Sequence, residues 1–448
     1  MNKYSLSALV AAGLLAGGLA TSANAADLGG NCCADLEERI AELEATTARK
    51  GNRKVSLTVS GWVGQQMTFW DDGFESNTYI HDLGTTLGSH VKFTGSAQIS
   101  PGYSAGYVLQ IEAIGSDGLT TTQNNPNGPA VYDLLATGAN FGTGVQTLQS
   151  YWFIKSDQLG KVSLGKQSQA SDNTAILVDG SGSLVPANWV AYDTRAFFLR
   201  TSDGGTLSTF WGAAGGGCAT MGGAWGDCNG LTQNVIRYDS PTFGGFSLSA
   251  SWGDDDMWDI AGRYAGEHHG FKLAAAVAYN EVNSRNECGG ALLGCGYNNL
   301  GDLDAQYFQA GVYLQHVATG LFGLVNYGDM QNETVPGIAD SETWYAKVGL
   351  RTKFNHLGAT VFYGEYLSAD GAGAAVGDGG AQGETALNID DIEVWGLGVV
   401  QEVDAAAMSV WIKYRNLSAD TTFVGSEGGG AVGVEDFDYV GVGGLINF

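Results

Sequence analysis

Proline is scarce in this chain, 6 residues of 448, and so is positive charge, with 21 Lys and Arg against 47 Asp and Glu. Few prolines leave long strands uninterrupted, because proline donates no ladder hydrogen bond. A formal charge of −26 argues against nucleic acid and against anionic lipid surfaces as partners. Long apolar runs are missing too. After Ala20 no stretch approaches the ~20 residues of a membrane-spanning helix. The 6 His, at 81, 90, 268, 269, 316 and 356, are scattered and carry no nucleophile–base motif, so a lipase or protease is disfavoured.

Glycine and aromatic residues are what the chain has. Gly reaches 69, aromatics 11%, and hydrophobic residues 44% without clustering. Apolar and polar residues alternate over segments of about ten, as they do in strands with one greasy and one wet face. Val55, Leu57, Val59, Val63, Met67 and Phe69 oppose Ser56, Thr58, Ser60, Gln66 and Thr68. Leu87, Val91, Phe93, Ala97 and Ile99 oppose His90, Lys92, Thr94, Ser96 and Gln98. Trp344, Ala346, Val348 and Leu350 oppose Tyr345, Lys347 and Arg351, and Val410, Ile412 and Tyr414 oppose Trp411, Lys413 and Arg415. Charge confined to the wet face suits a barrel with lipid outside and water inside.

Connection lengths alternate as well. Short turns fall at 100–102, 158–160, 203–205, 240–242, 268–270, 319–320, 356–358 and 404–405. Long connections fall at 114–148, 171–192, 281–304, 328–342, 368–391 and 418–436. That asymmetry is expected of an outer-membrane barrel. The fold expected is all-β, a 16-stranded antiparallel transmembrane β-barrel over 54–448, or 18-stranded if the pair Ala196–Leu199 and Leu207–Trp211 enters the wall. Either size encloses a water-filled channel. The last strand alternates through Val440, Val442, Gly444 and Ile446 to Phe448, and this terminal aromatic is the expected assembly signal.

The first residues point to export. Lys3 is the only charge before Asp27, Leu6 to Ala20 is apolar, and Ala23-Asn24-Ala25 reads as a small-x-small cleavage site. A signal peptide over 1–25 and an N-terminal periplasmic segment over 26–53 follow. Within it the period changes: Cys33, Leu36, Ile40, Leu43 and Thr47 form a heptad seam, which predicts a helix at 33–50. A helix this short is marginal alone, so a short coiled coil of several copies is expected.

Six Cys in an exported chain point to an oxidising compartment. Cys218 with Cys228 and Cys288 with Cys295 are expected as local disulfides, while Cys32 and Cys33 bridge locally or between chains. No metal site is expected. Asp254, Asp255, Asp256 and Asp259 match no calcium loop, and His268-His269 sits in a turn without a third ligand. No cofactor motif stands out either.

NVIRYDSPTFGGFSLSASWG at 234–253 resembles the Arg-Tyr-Asp-Ser-Pro hairpin of the alphaproteobacterial porins, and VSLGKQ at 162–167 resembles the strand leading into their constriction loop. Residues 34–70 are similar to a longer, rhizobial-type branch. The resemblance implies a homotrimer, sixteen strands per subunit, and a third loop folded into the lumen. The mature terminus Ala26-Asp27 resembles that of related barrels joined to peptidoglycan, which makes Ala26 the candidate attachment residue.

On that reading segment 171–192 is the constriction loop, carrying Asp172 and Asp179. Inward-phase Lys92, Arg237, Arg263, Lys347, Arg351 and Lys413 are expected to face it across the lumen. Opposed charges in a confined lumen make a transverse field that favours dipolar solutes. The function expected is passive diffusion of small hydrophilic solutes and ions across the outer membrane, with weak cation preference. The alternatives are a substrate-specific channel, marked by a lumen aromatic track including Tyr345 and Trp411, or a structural anchor or adhesin.

Overall fold

The computed structural model describes residues 54–126, 144–188, 193–202, 204–211, 232–253, 257–284, 303–332, 340–370, 374–375, 386–424 and 431–448. Residues 1–53, with the signal peptide, Ala26, Cys32, Cys33 and the helix at 33–50, lie outside the described residues, as do Cys218, Cys228, Cys288, Cys295 and Asp254 to Asp256.

Alternating segments become one closed sheet. Three of its nineteen strands are short loop pieces, Ser76–Asp82, Ala374–Ala375 and Ala431–Val432. The other sixteen form the wall. They are β1 (Thr58–Asp71), β2 (His90–Ser100), β3 (Tyr103–Ile114), β4 (Gly144–Ser156), β5 (Gly160–Ser168), β6 (Thr232–Asp239), β7 (Phe246–Gly253) and β8 (Trp258–His268). They continue as β9 (Phe271–Ser284), β10 (Leu303–His316), β11 (Leu321–Asn332), β12 (Ser341–Thr352), β13 (Thr360–Asp370), β14 (Ala386–Val403), β15 (Met408–Val424) and β16 (Phe437–Asn447). Each strand pairs antiparallel with the next, and β16 returns to β1 in the register Trp62↔Asn447 to Asp71↔Asp438, so among the described residues the wall has no unpaired edge strand.

The strand count is settled at 203–205. Phe198–Arg200 and Thr206–Phe210, on either side of it, form a separate two-stranded sheet outside the wall. No helix among the described residues is long and apolar enough to cross a membrane.

The faces follow the alternation. Val59, Val63, Met67 and Phe69 of β1 are exposed on the outside, as are Trp344 and Val348 of β12 and Ile412 of β15. Gln66, Thr68, Lys347, Lys413 and Arg415 turn inward and are buried. Leu87 departs from the pattern expected of it. Between Ser76–Asp82, which pairs with the upper part of β1, and the start of β2, residues 83–89 bulge off the ladder. Leu83 and Leu87 are buried there, and Trp62 Nε1 donates to the Leu87 carbonyl at 3.1 Å. Three acidic residues hold the bulge by accepting from it. Asp82 takes Ser89 N–H at 3.2 Å, Asp117 takes Thr85 N–H at 3.1 Å, and Glu112 takes Thr86 N–H at 3.3 Å. Period 2 carries no sign of such an insertion, because the break depends on side chains distant in sequence.

Candidate functional site: the inner loop and the lumen wall

Between β5 and β6 the chain turns into the barrel. A 3-10 turn, Ile176–Val178, and a π-helical turn, Leu184–Asn188, carry it across the lumen, rich in Ser, Gly and Asn that bond locally. The inward-phase residues of the wall catch it at successive points.

The first attachment is to β7 and β8. Ser171 N–H and Oγ donate to Asp259 Oδ2, each at 2.6 Å, and Ser251 Oγ accepts Ala170 N–H at 3.0 Å. Arg263 donates to the Ala170 carbonyl at 2.5 Å and to Thr174 Oγ1 at 2.9 Å. Arg237 on β6 donates to the Ser168 and Gln169 carbonyls at 2.9 and 3.0 Å and pairs with Asp239. On β10, Gln309 accepts Ala175 N–H at 2.7 Å and donates to the Ser171 carbonyl at 2.9 Å. Two residues on is Gly311, where a Cβ would lie 2.2 Å from the Ala175 carbonyl oxygen. The loop therefore seats directly on the β10 backbone.

The second attachment is a buried ionic cluster on β12 to β16. Lys347 Nζ donates to Asp179 Oδ2 at 2.5 Å, Ser183 Oγ at 2.9 Å and Asn188 Oδ1 at 2.6 Å. Lys413 Nζ donates to Asp193 Oδ2 at 2.5 Å and the Pro186 carbonyl at 3.0 Å. Arg415 forks onto Glu365 at 2.7 and 3.1 Å and also donates to the Ala187 carbonyl and to Tyr439 Oη. Asp193 is closed off by Gln66 Nε2 at 2.6 Å and Tyr439 Oη at 2.8 Å. A buried charge survives only when paired and hydrogen-bonded, and this cluster meets that condition.

The loop carboxylates differ in their electrostatics. Burial pushes Asp172 up to about 7; Asp259 adds to the rise, while a hydrogen bond from Ser168 and the charges of Arg237 and Arg263 oppose it. Burial pushes Asp193 up too, but Lys413, Arg415 and His81 outweigh it and hold the carboxyl down at about 2.

The six expected basic residues thus divide. Arg237 and Arg263 hold the start of the loop, and Lys347 and Lys413 hold its middle. Arg351 is paired with Glu402 at 2.8 and 2.7 Å, beside Gly182. Lys92 stands on β2, away from these attachments. Asp179 is in direct contact with Lys347, so the charges meet where spacing suggested open opposition. Tyr345 and Trp411 are buried in the same cluster, Tyr345 donating to Glu365 at 2.7 Å and Trp411 to Gln66 at 3.0 Å. Sequence reading missed Asp193, Asn188, Glu365 and Gln309, and it named only as part of an acidic group the buried wall residue Asp259. The last three share the inward phase of their strands, a signal that was available; Asp193 and Asn188 lie in irregular backbone, where no period exists.

Among the described residues no three of His, Cys, Asp and Glu converge as a metal site. His268 bonds Tyr264 across the start of its turn, and His269 takes a left-handed φ of 50°.

Comparison with known proteins gives one family: the model of the Gram-negative porins matches residues 6–444. No curated protein matches the chain. Among solved structures, the anion-selective porin from Comamonas acidovorans shares 17% identity, with a TM-score of 0.53 over 88% of this chain and 100% of its own. OprB of Pseudomonas putida shares 10% identity, with a TM-score of 0.54 over 92% of this chain and 97% of its own. At these identities the likeness is one of fold.

Proposed function

The chain belongs to the Gram-negative porin family, and on that premise we propose that it is a homotrimeric general-diffusion porin whose inner loop sets the width of the passage. It is an outer-membrane β-barrel that passes small hydrophilic solutes and ions without chemical conversion. The observation that carries this reading is a closed wall, apolar outside and polar inside, with a loop pinned across its lumen by Asp179–Lys347 and Asp193–Lys413. An enzyme is not proposed, since the buried polar groups named above are engaged in holding the loop.

Single-channel recording of the purified protein in planar bilayers tests it. Large ohmic openings are expected. Closed traces, or block by one solute at low concentration, would favour the substrate-specific channel or the anchor instead.

Finer features extend this proposal. The 234–253 and 162–167 blocks support kinship with the alphaproteobacterial, rhizobial-type porins. The helix at 33–50 is proposed to join three subunits below the membrane. Ala26 is proposed to carry peptidoglycan, which muramidase digestion and mass spectrometry of the N-terminal peptide test; a free Ala26 amine on every copy rules it out. The local disulfides Cys218–Cys228 and Cys288–Cys295 are testable by mass mapping without reduction. Phe448, whose backbone pairs with Gly61 at 3.0 Å in both directions, is proposed as the assembly signal. Deleting it should lower the amount of folded barrel in outer membranes.

A further inference from the structure

The hydrogen bonds that fix the inner loop fall on strands from β5 to β16 and on β1. The lumen faces of β2 to β4 receive none of those described above, and there one cation stands apart. Lys92 lies in the inward phase of β2, between outward Val91 and Phe93, and is 3% exposed. Arg237, Arg263, Lys347, Arg351 and Lys413 each donate to at least one oxygen. Lys92 has no acceptor among the described residues. The charge acting on it is a second cation, Lys161, which is itself paired with Asp239 at 3.0 Å. Glu112, further along the β3 face, is held by Thr86 N–H and Gln146, and no ion pair joins it to Lys92.

Directly across the ladder from Lys92 is Gln110, also buried, and its Oε1 has no donor. Cross-strand partners have Cβ atoms about 4.5–5.5 Å apart. A largely buried lysine without a counter-ion is costly, and so is an enclosed amide oxygen without a donor. One guest satisfies both: a small oxyanion that still carries an O–H. Its charged oxygens accept from Lys92 Nζ, and its hydroxyl donates to Gln110 Oε1. Chloride answers only the first need, and fully ionised sulfate only the first.

We propose that Lys92 and Gln110 form a binding site for small protonated oxyanions, with hydrogen phosphate the fitting type, on the part of the wall to which the inner loop makes none of the hydrogen bonds described above. This deepens the diffusion-channel reading and rests on it for the route of access, but binding can be measured without conduction. Lumen cations raise the local concentration of anions within a confined, low-dielectric wall.

The experiment uses the purified full-length protein in detergent. Inorganic phosphate is titrated calorimetrically against wild type, Lys92→Gln and Gln110→Glu, with sulfate as the comparison. Wild type is expected to bind phosphate more tightly than sulfate. Lys92→Gln is expected to weaken phosphate binding about tenfold or more, the loss that accompanies removal of one charge-assisted hydrogen bond. Gln110→Glu places a carboxylate opposite Lys92 without leaving a cation bare; it should fold, occupy the ammonium and abolish phosphate binding. The same variants in bilayers under a KCl gradient should shift the reversal potential toward cations, while Lys92→Arg keeps the wild-type value. Equal phosphate and sulfate affinity in wild type, or phosphate affinity unchanged in both variants, overturns the site. Phosphate binding by a wild-type protein that passes no current leaves the site standing and removes the channel reading.

Discussion

Lys347 on the barrel wall and Asp179 on the inner loop meet at 2.5 Å with both side chains fully enclosed. Ser183 and Asn188 complete the ammonium's bonding, so one wall residue holds the loop at three points along its length. Breaking such a pair from one side leaves a bare charge, at a cost of roughly 3–5 kcal/mol. Lys347→Met is therefore expected to release the middle of the loop. Noisier single-channel traces with altered conductance should follow, and Lys347→Met with Asp179→Leu should recover quieter openings by removing both charges. A single variant that conducts like wild type would mean the pair does not position the loop.

The loop's docking should weaken as pH rises. Asp172 is raised from its ordinary 3.8 to about 7, so between those values the folded protein binds more protons than the unfolded chain. Stability then falls as pH climbs through that window, by linkage. Asp193 runs the other way. Its contribution is present above its ordinary 3.8 and lost only as pH falls through about 2, so it is constant from pH 5 to 8. Melting followed by the heat-dependent mobility of the folded barrel at pH 5, 6, 7 and 8 separates them. Asp172→Asn should flatten the wild-type slope, and Asp193→Asn should lower the melting temperature equally at each pH. Parallel slopes for wild type and Asp172→Asn would falsify the assignment.

Gly311 is the seat of the loop on β10. Any Cβ there meets the Ala175 carbonyl at 2.2 Å, and the neighbour is backbone, which cannot swing aside. Gly311→Ala should cost about 1–3 kcal/mol by overpacking and push the loop away from β10 toward the β2 to β4 wall. Lower single-channel conductance is the expected reading. A crystal structure of the variant with the loop in place and β10 bent outward would count against it.

Much of this was legible from period 2 alone. Outward Trp344 and inward Lys347, or outward Ile412 and inward Lys413, are set by alternation, because each strand faces lipid on one side and water on the other. Closure of β16 on β1 was legible in outline from the alternating terminal strand. The partners of the inward charges were not. Lys413 and Asp193 are 220 residues apart, and nothing local in either segment names the other. Leu87 was misplaced for the same reason, since the bulge that turns it inward is held by Glu112 and Asp117 from another hairpin. Turn chemistry alone leaves the hairpin at 198–210 open between two more wall strands and a hairpin within a loop; only its bonding to other loops shows that it lies apart.

That hairpin yields the last prediction. Arg200 donates to Asp72 at 2.8 Å and to Glu75 at 2.9 Å, both in the loop after β1. The backbone of the hairpin is tied to the loop before β16: Ser202 N–H donates to the Gly433 carbonyl at 3.0 Å, and Glu435 N–H donates to the Arg200 carbonyl at 2.9 Å. Gln123 bridges it to the loop after β3, accepting Phe198 N–H at 3.0 Å and donating to the Phe198 carbonyl at 2.7 Å. Beneath these polar ties Phe197 packs on Trp70 and Phe437, with ring centroids 5.2 and 4.8 Å apart. The hairpin therefore closes one sector of the mouth, and Arg200 is its main charged tether. Arg200→Ala removes charge-assisted bonds whose net worth is about 1.5–3 kcal/mol, and it leaves Asp72 with only the Phe74 and Glu75 amides and Gln123 for partners. The hairpin should then open part of the time, exposing the Phe197 cluster to water. Conductance is expected to rise, and protease added from the outer side should cut near 203 faster than in wild type. Asp72→Asn keeps an acceptor for Arg200 and should have a smaller effect. If Arg200→Ala changes neither conductance nor cleavage, the backbone ties and the aromatic cluster hold the hairpin without its charge.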